Sequence, residues 1–328
     1  MRKQIRLLFC MACLALVPMV ALSGCLSNQS APKGPSYSND IVTIEDYYVS
    51  NLNPYAGSQV EVDFLLQNNG ELPVSHLTLE VNAPAGWQIT SLACQGITSP
   101  EITSEKDSGK CEYKYTNINE AIQPFDVRSV SMSFKTPSNI LKPTPFVLSY
   151  SVSYYYTGYR KADLPVVDGV TLRKATSAYS ESSPSYGPIM LEFNIPARAE
   201  HVEGKQVVKE YWGVKGEPVE VMFSFTDVAS QGYKASSVTL SKNSVTLDTK
   251  GSLELKPGLP CDFEASGTDY IYVSSVAVSK MPGKLRCSFV SNDFTEPEIF
   301  ATLWANYTYT YKYTKTQAFE VQPLSENP

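Results

Sequence analysis

"FVLSYSVSY", residues 146–154, alternates apolar and small polar side chains from Leu148 onward. Because alternate residues of a strand point to opposite faces, this pattern predicts a β-strand that is buried on one side. Shorter runs of the same kind lie at 60–64, 77–81 and 130–134, with turn residues between them. Short alternating strands separated by turns are typical of a β-sandwich.

The same scheme returns in the second half of the chain. Three pairs of similar segments occur in the same order, which predicts duplication of one module. The pairs are "VEVDF" (60–64) with "VEVMF" (219–223), "GKCEYKY" (109–115) with "GKLRCSF" (283–289), and "VSYYYTGYRK" (152–161) with "ANYTYTYKYTK" (305–315). We therefore predict an all-β protein with two tandem immunoglobulin-like β-sandwiches. The predicted parts are a signal segment (1–24), a flexible tether (25–40), the first sandwich (41–172), a linker (173–188), the second sandwich (189–323) and a tail (324–328).

The first residues have the composition of an export signal. Residues 1–6 are basic, 7–22 are mostly apolar, and the small residues Ser23 and Gly24 follow before Cys25. A charged start, an apolar middle and a small-residue cleavage site are the three parts of a secretory signal. An uncleaved membrane helix is the alternative, but the apolar run would span only about 24 Å of a hydrocarbon core of about 30 Å.

The tetrapeptide Leu22-Ser23-Gly24-Cys25 resembles the lipobox of prokaryotic lipoproteins. In that family the cysteine sulfur receives a diacylglyceryl group and becomes the first residue after cleavage. The resemblance implies lipid attachment at Cys25 and a location on the extracytoplasmic face of the cell membrane. A plain signal peptide and an uncleaved anchor remain the alternatives.

The cysteines point to two disulfides. Of seven cysteines, Cys10 and Cys13 would leave with the signal and Cys25 would carry lipid, so four remain in an exported protein. Four cysteines allow three connectivities, and the near neighbours give the pairs Cys94–Cys111 and Cys261–Cys287. Zinc is the competing reading, but no C-x-x-C pair follows Cys25.

A second resemblance covers mainly the first sandwich. Asn69-Gly70, the alternating run Leu77–Val81 and the segment Pro84–Trp87 occur in that order. They resemble the CARDB-type and related immunoglobulin-like domains of archaeal and bacterial surface proteins, which implies a structural role for Trp87. Such domains serve as spacers, adhesion units and accessory modules, so the resemblance implies architecture more than activity. The second half has no Pro-x-Gly-Trp segment.

Charge and motifs exclude several classes of function. The formal net charge is −6, and the predicted signal holds three of the cations, so the mature chain would be more acidic still. An acidic chain without a basic cluster is a poor partner for nucleic acid. No P-loop, G-x-S-x-G, H-E-x-x-H or EF-hand motif is present, so we predict no cofactor and no metal.

Some residues leave a choice between chemistry and structure. His76 precedes a predicted strand and His201 lies in a predicted connection, where surface histidines are expected. The acidic segment Asp293–Glu298 is either a solvated turn or a source of carboxylates for Ca²⁺. Paired glycosidase carboxylates stay open, because their separation is spatial. Asn28 and Asn306 match the N-glycosylation pattern, which matters only in a host that glycosylates exported proteins.

The tyrosines allow two interpretations. Alternate tyrosines share one face of a strand, and that face is either the sandwich core or an exposed contact surface for sugars or a partner strand. The candidate contact face consists of Tyr307, Tyr309, Tyr311 and Tyr313, and a similar row in the first half consists of Tyr150, Tyr154 and Tyr156. Packing in the core is the favoured interpretation. Trp304 is out of phase with Tyr307, which places it on the opposite side of the sheet.

Together these patterns predict a lipid-anchored cell-surface protein with a structural, adhesive or binding role and no catalysis. Its partners would be the membrane, through the lipid, and an envelope protein or glycan. An accessory or solute- or glycan-binding lipoprotein of an envelope complex or transporter is the first alternative, and it needs a concave pocket. An unrecognised envelope enzyme acting on glycans is the second, and it needs two carboxylates that converge in a cleft.

Overall fold

A computed structural model of the chain describes residues 36–97, 100–267 and 270–324. The predicted signal segment, Cys25 and Asn28 lie outside the described residues, so the lipid anchor and the first glycosylation triplet stay predictions.

The regular secondary structure of the described residues is almost entirely β-strand, which confirms the all-β prediction. The strands of the first half are β1 (Val42–Val49), β2 (Gln59–Asn68), β3 (His76–Asn82), β4 (Gln88–Cys94), β5 (Glu101–Ile102), β6 (Ser108–Lys114), β7 (Val127–Lys135) and β8 (Thr144–Val167). Those of the second half are β9 (Ser180–Glu181), β10 (Ile189–Asn194), β11 (Ala199–Glu203), β12 (Gln206–Glu210), β13 (Gly213–Val214), β14 (Val219–Asp227), β15 (Ser237–Thr239), β16 (Val245–Asp248), β17 (Leu253–Leu255), β18 (Phe263–Ala265), β19 (Ile271–Ser274), β20 (Gly283–Ser291) and β21 (Glu298–Val321). One 3-10 turn occurs at Gln231–Tyr233.

The strands build one large central sheet and two four-stranded outer sheets. The central sheet runs β18-β19-β16-β21-β8-β3-β6-β5, and the outer sheets run β1-β2-β7-β4 and β10-β14-β20-β17. Phe64 of the first outer sheet packs on Tyr150 of β8, and Phe225 of the second packs on Tyr307 of β21. Each outer sheet therefore forms a β-sandwich with its own half of the central sheet.

The two sandwiches share the central sheet through the pairing of β8 with β21. These strands are 24 residues each and pair antiparallel from Thr144↔Val321 to Val167↔Glu298. Such a strand is about 80 Å long. The described residues from Tyr37 onward consequently form one compact unit, and the domain boundary at 173–188 stays a prediction.

The predicted repeat holds for two of its three segment pairs. "VEVDF" and "VEVMF" lie in β2 and β14, which are inner strands of the two outer sheets, and the tyrosine-rich segments lie in β8 and β21. The remaining pair, 109–115 with 283–289, is wrong as a structural equivalence. Residues 109–115 belong to the central sheet through β6, and residues 283–289 belong to an outer sheet through β20. A period-two pattern reports burial on one side and does not report which sheet a strand joins.

The tyrosine row of β21 is buried, so the interpretation as an exposed contact face is wrong. Tyr307, Tyr309, Tyr311 and Tyr313 are each at most 1% exposed. The Tyr307 hydroxyl donates to the Ile189 carbonyl at 3.0 Å, and the Tyr313 hydroxyl donates to the Val42 carbonyl at 3.0 Å. Because Ile189 and Val42 belong to different outer sheets, one row of side chains fastens both outer sheets to the same strand.

The matching row of β8 is also buried, and it meets the row of β21. The rings of Tyr154 and Tyr311 lie 5.5 Å apart, and those of Tyr156 and Tyr309 lie 6.2 Å apart. Gly158 makes room for the Tyr307 ring, since a Cβ at this position would lie 2.4 Å from the Tyr307 Cζ. The core is therefore continuous across the junction of the two sandwiches.

Both predicted disulfides are present. Cys94–Cys111 joins β4 of an outer sheet to β6 of the central sheet, and Cys261–Cys287 joins the segment before β18 to β20. Cys94–Cys111 thus links the two layers of the first sandwich, whereas Cys261–Cys287 joins two neighbouring segments of the second, where Asp262 N donates to Arg286 O at 2.8 Å. Trp87 is buried against Phe134, Phe146 and Phe319, which confirms its structural role.

Removal of one core ring should test how much the tyrosine row contributes. We expect Tyr309→Ala to lower the free energy of unfolding by about 3–5 kcal/mol, because it removes a large buried side chain. Thr310→Ala, the next residue on the uncovered side of the same strand, should cost no more than about 1 kcal/mol. Urea unfolding of both variants measures the difference, and equal losses would contradict a tyrosine core.

The buried tyrosines should also make the protein sensitive to alkali. Burial raises the pKa of Tyr150 to about 12 and that of Tyr307 to about 12. The unfolded chain ionises near its ordinary pKa of about 10, so stability is intact below pH 10 and is lost between about pH 10 and 12. Urea unfolding across this range should show the fall, and Tyr307→Phe should make it shallower. An unchanged slope in that variant would rule out a contribution from Tyr307.

Candidate functional site

The two histidines lie far from each other in ordinary surroundings. His76 begins β3, where its Nε2 lies 3.1 Å from Glu112 Oε1 and its ring packs on Tyr155. The sequence predicted that His201 lies in a connection, but this residue belongs to strand β11. Its side chain is exposed, as predicted for a surface histidine. Within the described residues, no group of three or more His, Cys, Asp or Glu side chains is placed to hold a metal ion.

The acidic segment Asp293–Glu298 fastens the chain at one point. Glu298 accepts hydrogen bonds from the Thr176 amide and hydroxyl at 2.7 Å each and from the Ser177 amide at 2.9 Å. Burial raises the pKa of Glu298, but the bonds from Ser177 and Thr176 outweigh this and lower its pKa to about 2. The Glu298 carboxylate therefore binds residues of the predicted linker and is not free to bind Ca²⁺ with all its oxygens.

The predicted linker, 173–188, is held along its length. Lys174 Nζ lies 2.6 Å from Glu210 Oε1, and β9 pairs with β8. The Tyr179 hydroxyl donates to Glu181 Oε1 at 2.5 Å, and Glu181 Oε2 lies 2.6 Å from Arg160 Nη2. These contacts hold the segment against the surface of the body.

A cavity of about 440 Å³ opens between this segment and the end of β12; we call it cavity A. Its walls are residues 174–179 and 208–212. The rings of Tyr179 and Tyr211 lie 5.5 Å apart with their planes at 51°, and both side chains are half-buried. The single carboxylate of the lining is Glu210, so cavity A does not have the two carboxylates that glycoside hydrolysis needs.

A neighbouring cavity of about 470 Å³, cavity B, shares one wall with cavity A. The shared residue is Trp212, which lines both. The other walls of cavity B are residues 195–198 and 217–220, and Arg198 Nη2 lies 2.8 Å from Glu217 Oε2 there. A half-buried indole between two cavities is the most distinctive arrangement of side chains on the described surface.

A β-hairpin leaves the body beside these cavities. β11 and β12 form a two-stranded sheet of their own, turning at Gly204 with φ +62°. Val202 and Val207 face each other across it and are 71% and 60% exposed. An isolated hairpin is only marginally stable in water, so this one depends on its base, where Arg198 N donates to Glu210 O at 2.9 Å.

The outer side of the central sheet is uncovered at the β8–β21 junction. Trp304 is 38% exposed there, as expected from its phase relative to Tyr307. Asn306 is exposed on the same face in the middle of β21, so its use as a glycosylation acceptor stays a prediction. The Thr157 and Thr308 hydroxyls are 3.0 Å apart beside it.

Sequence reasoning missed every aromatic residue of the two cavities. Tyr179 was assigned to a linker, and Tyr211-Trp212 follows a hairpin that carried no turn signal strong enough to single it out. The adjacent aromatics in "KEYWG", residues 209–213, were the available signal.

Comparison with known proteins does not identify a function for these cavities. No protein-family model matches the chain, and no curated protein matches it. Among solved structures, a cohesin of Acetivibrio cellulolyticus in complex with a dockerin matches with 16% identity over 34% of this chain and 84% of that chain, at a TM-score of 0.28. The major pilin subunit BcpA of Bacillus cereus matches with 9% identity over 87% and 67%, at 0.29. The major pilin GBS80 of Streptococcus agalactiae matches with 8% identity over 80% and 91%, at 0.26. Similarities this weak carry no argument about function.

Among the described residues there is no helix of the length and apolar character that a bilayer requires.

The contact with Glu298 should protect the linker segment from proteolysis. We expect Glu298→Gln to increase tryptic cleavage after Arg173 and Lys174, because a neutral amide binds the Thr176 and Ser177 donors more weakly. The native contact is intact above the ordinary pKa near 4.5 and is lost as the pH falls toward 2.

Limited proteolysis followed by mass spectrometry measures the cleavage. Glu296→Gln is the matched control, because its carboxylate bonds only to the adjacent Thr295. Equal protection of the linker from trypsin in both variants would contradict a protective role for the Glu298 contact.

Proposed function

We propose that this chain is an exported, lipid-anchored surface protein that acts by contact and catalyses no reaction. The observation that carries the proposal is the pair of disulfides, Cys94–Cys111 in the first half and Cys261–Cys287 in the second. Disulfides persist in oxidising compartments outside the cytosol. The signal-like segment and the tetrapeptide Leu22–Cys25 support the same location.

The build of the molecule supports a structural or binding role. The shared sheet and the buried tyrosine rows resist relative movement of the two sandwiches, and one disulfide braces each half internally. The CARDB-type modules that the first half resembles serve as spacers, adhesion units and accessory modules, and a rigid body suits each of these roles. A diacylglyceryl group at Cys25 would supply two acyl chains, which is enough for stable membrane attachment.

A specific observation favours the accessory or solute- or glycan-binding lipoprotein as the second candidate. That reading needs a concave pocket, and cavities A and B are of the size that ligand sites have. The enzyme acting on envelope glycans has no observation in its favour, so it is not part of the proposal.

Replacement of the lipid-bearing cysteine tests the anchor. We expect Cys25→Ser to release the protein from the membrane fraction or to leave an unprocessed precursor, since serine has no sulfur to accept the lipid. Intact-mass measurement of the wild-type chain should find lipid on an N-terminal Cys25. Cys13→Ser, within the apolar segment, is the matched control and should be processed normally. Unchanged processing and membrane retention of Cys25→Ser would refute the anchor.

A further inference from the structure

We propose that Trp212, which lines both cavity A and cavity B, is the centre of a binding site for a neutral oligosaccharide. The proposal deepens the proposed function, because it gives the surface protein a class of ligand. It rests on three properties of the site: an indole common to two cavities on a fixed backbone, a second aromatic pair beside it, and lining charges that are largely neutralised in pairs.

The position of Trp212 is determined by the backbone that follows it. Gly213 and Val214 form β13, which pairs with Val166 and Val167 of β8. Gly213 is buried, and a Cβ there would lie 3.1 Å from Val219 and 3.2 Å from Val166. The close packing at Gly213 therefore fixes the backbone beside Trp212 before any ligand arrives, which reduces the entropy lost on binding.

The second aromatic pair lines cavity A. Tyr179 is held by Glu181, which is itself paired with Arg160, and the Tyr179 ring packs against Tyr211. Tyrosine and tryptophan combine an apolar ring with a polar group. Such rings suit a ligand with apolar C–H faces and polar edges, and a sugar ring has both.

The charged side chains of cavity A pair with partners of opposite sign. Lys174 lies 2.6 Å from Glu210, and Lys209 lies 3.2 Å from Glu200. In cavity B, Arg198 pairs with Glu217 at 2.8 Å, and Glu220 adds one further acceptor.

This pairing selects the class of ligand. Paired ions present both donors and acceptors but little net charge, so they give no strong attraction to a phosphate, a carboxylate or an amine. Hydroxyl groups can both donate and accept hydrogen bonds. A polyhydroxylated neutral ligand fits this lining better than an ion does.

The volumes point to a chain of sugars. About 440 and 470 Å³ each fall in the range of small-molecule sites. Because the two cavities meet at Trp212, a linear oligosaccharide can occupy both and stack on the indole where it crosses.

Titration of the full chain in detergent tests the proposal. The probes are the neutral hexasaccharides cellohexaose, mannohexaose and chitohexaose, with hexagalacturonate as an acidic comparison. We expect at least one neutral probe to bind, to bind more tightly than the acidic one, and to change its Kd less than twofold between 50 and 500 mM NaCl. Trp212→Ala should weaken that binding at least tenfold.

Two further variants keep the test decisive. Trp304→Ala, which removes the exposed tryptophan of the central sheet, should leave the Kd unchanged. Tyr211→Leu should weaken binding severalfold, so a result remains if Trp212→Ala loses its fold in a thermal melt. Binding of none of the neutral probes, stronger or salt-sensitive binding of the acidic probe, or full binding by a folded Trp212→Ala variant would overturn the proposal. None of these results bears on the membrane attachment that Cys25→Ser tests.

Discussion

The pairing of β8 with β21 is the constraint on which the rest of the structure depends. Two strands of 24 residues run antiparallel along their whole length, so two sandwiches share one sheet. Ordinary tandem immunoglobulin-like domains meet at their ends and can bend at a linker. Here the backbone hydrogen bonds of a sheet join the halves, and the buried rings of Tyr154 and Tyr311 meet across the junction.

This pairing also separates the two faces of the central sheet. Both outer sheets cover the same face, where the Tyr307 and Tyr313 hydroxyls bond to the carbonyls of Ile189 and Val42, while the buried Tyr309 hydroxyl has no partner among the described residues. The opposite face keeps Trp304, Asn306 and the threonines of β21 in contact with solvent. A row of tyrosines in the sequence is therefore compatible with a core when a covering layer satisfies most of its hydroxyls, as it does for Tyr307, Tyr311 and Tyr313.

The connection between the halves takes its role from the same arrangement. The last residue of β8 lies beside Glu298, the first residue of β21. Residues 173–188, which follow β8, therefore pass close to Glu298, which binds Thr176, and to Glu210, which binds Lys174. A segment rich in Ser and Pro would otherwise be a flexible linker. Held in this way, it forms one wall of cavity A beside Trp212.

The sequence alone determined the class of fold and the four cysteines that form disulfides, and the near-neighbour pairing it favoured is the one present. Period-two patterns report burial on one face, and the cysteine pairs were close in sequence, so both follow from local order. Only the tertiary structure decided which strands share a sheet, as the mismatch of 109–115 with 283–289 demonstrates. The same holds for the site around Trp212, whose walls come from segments distant in the chain. Long-range pairing depends on the geometry of the whole core, and no short stretch contains that information.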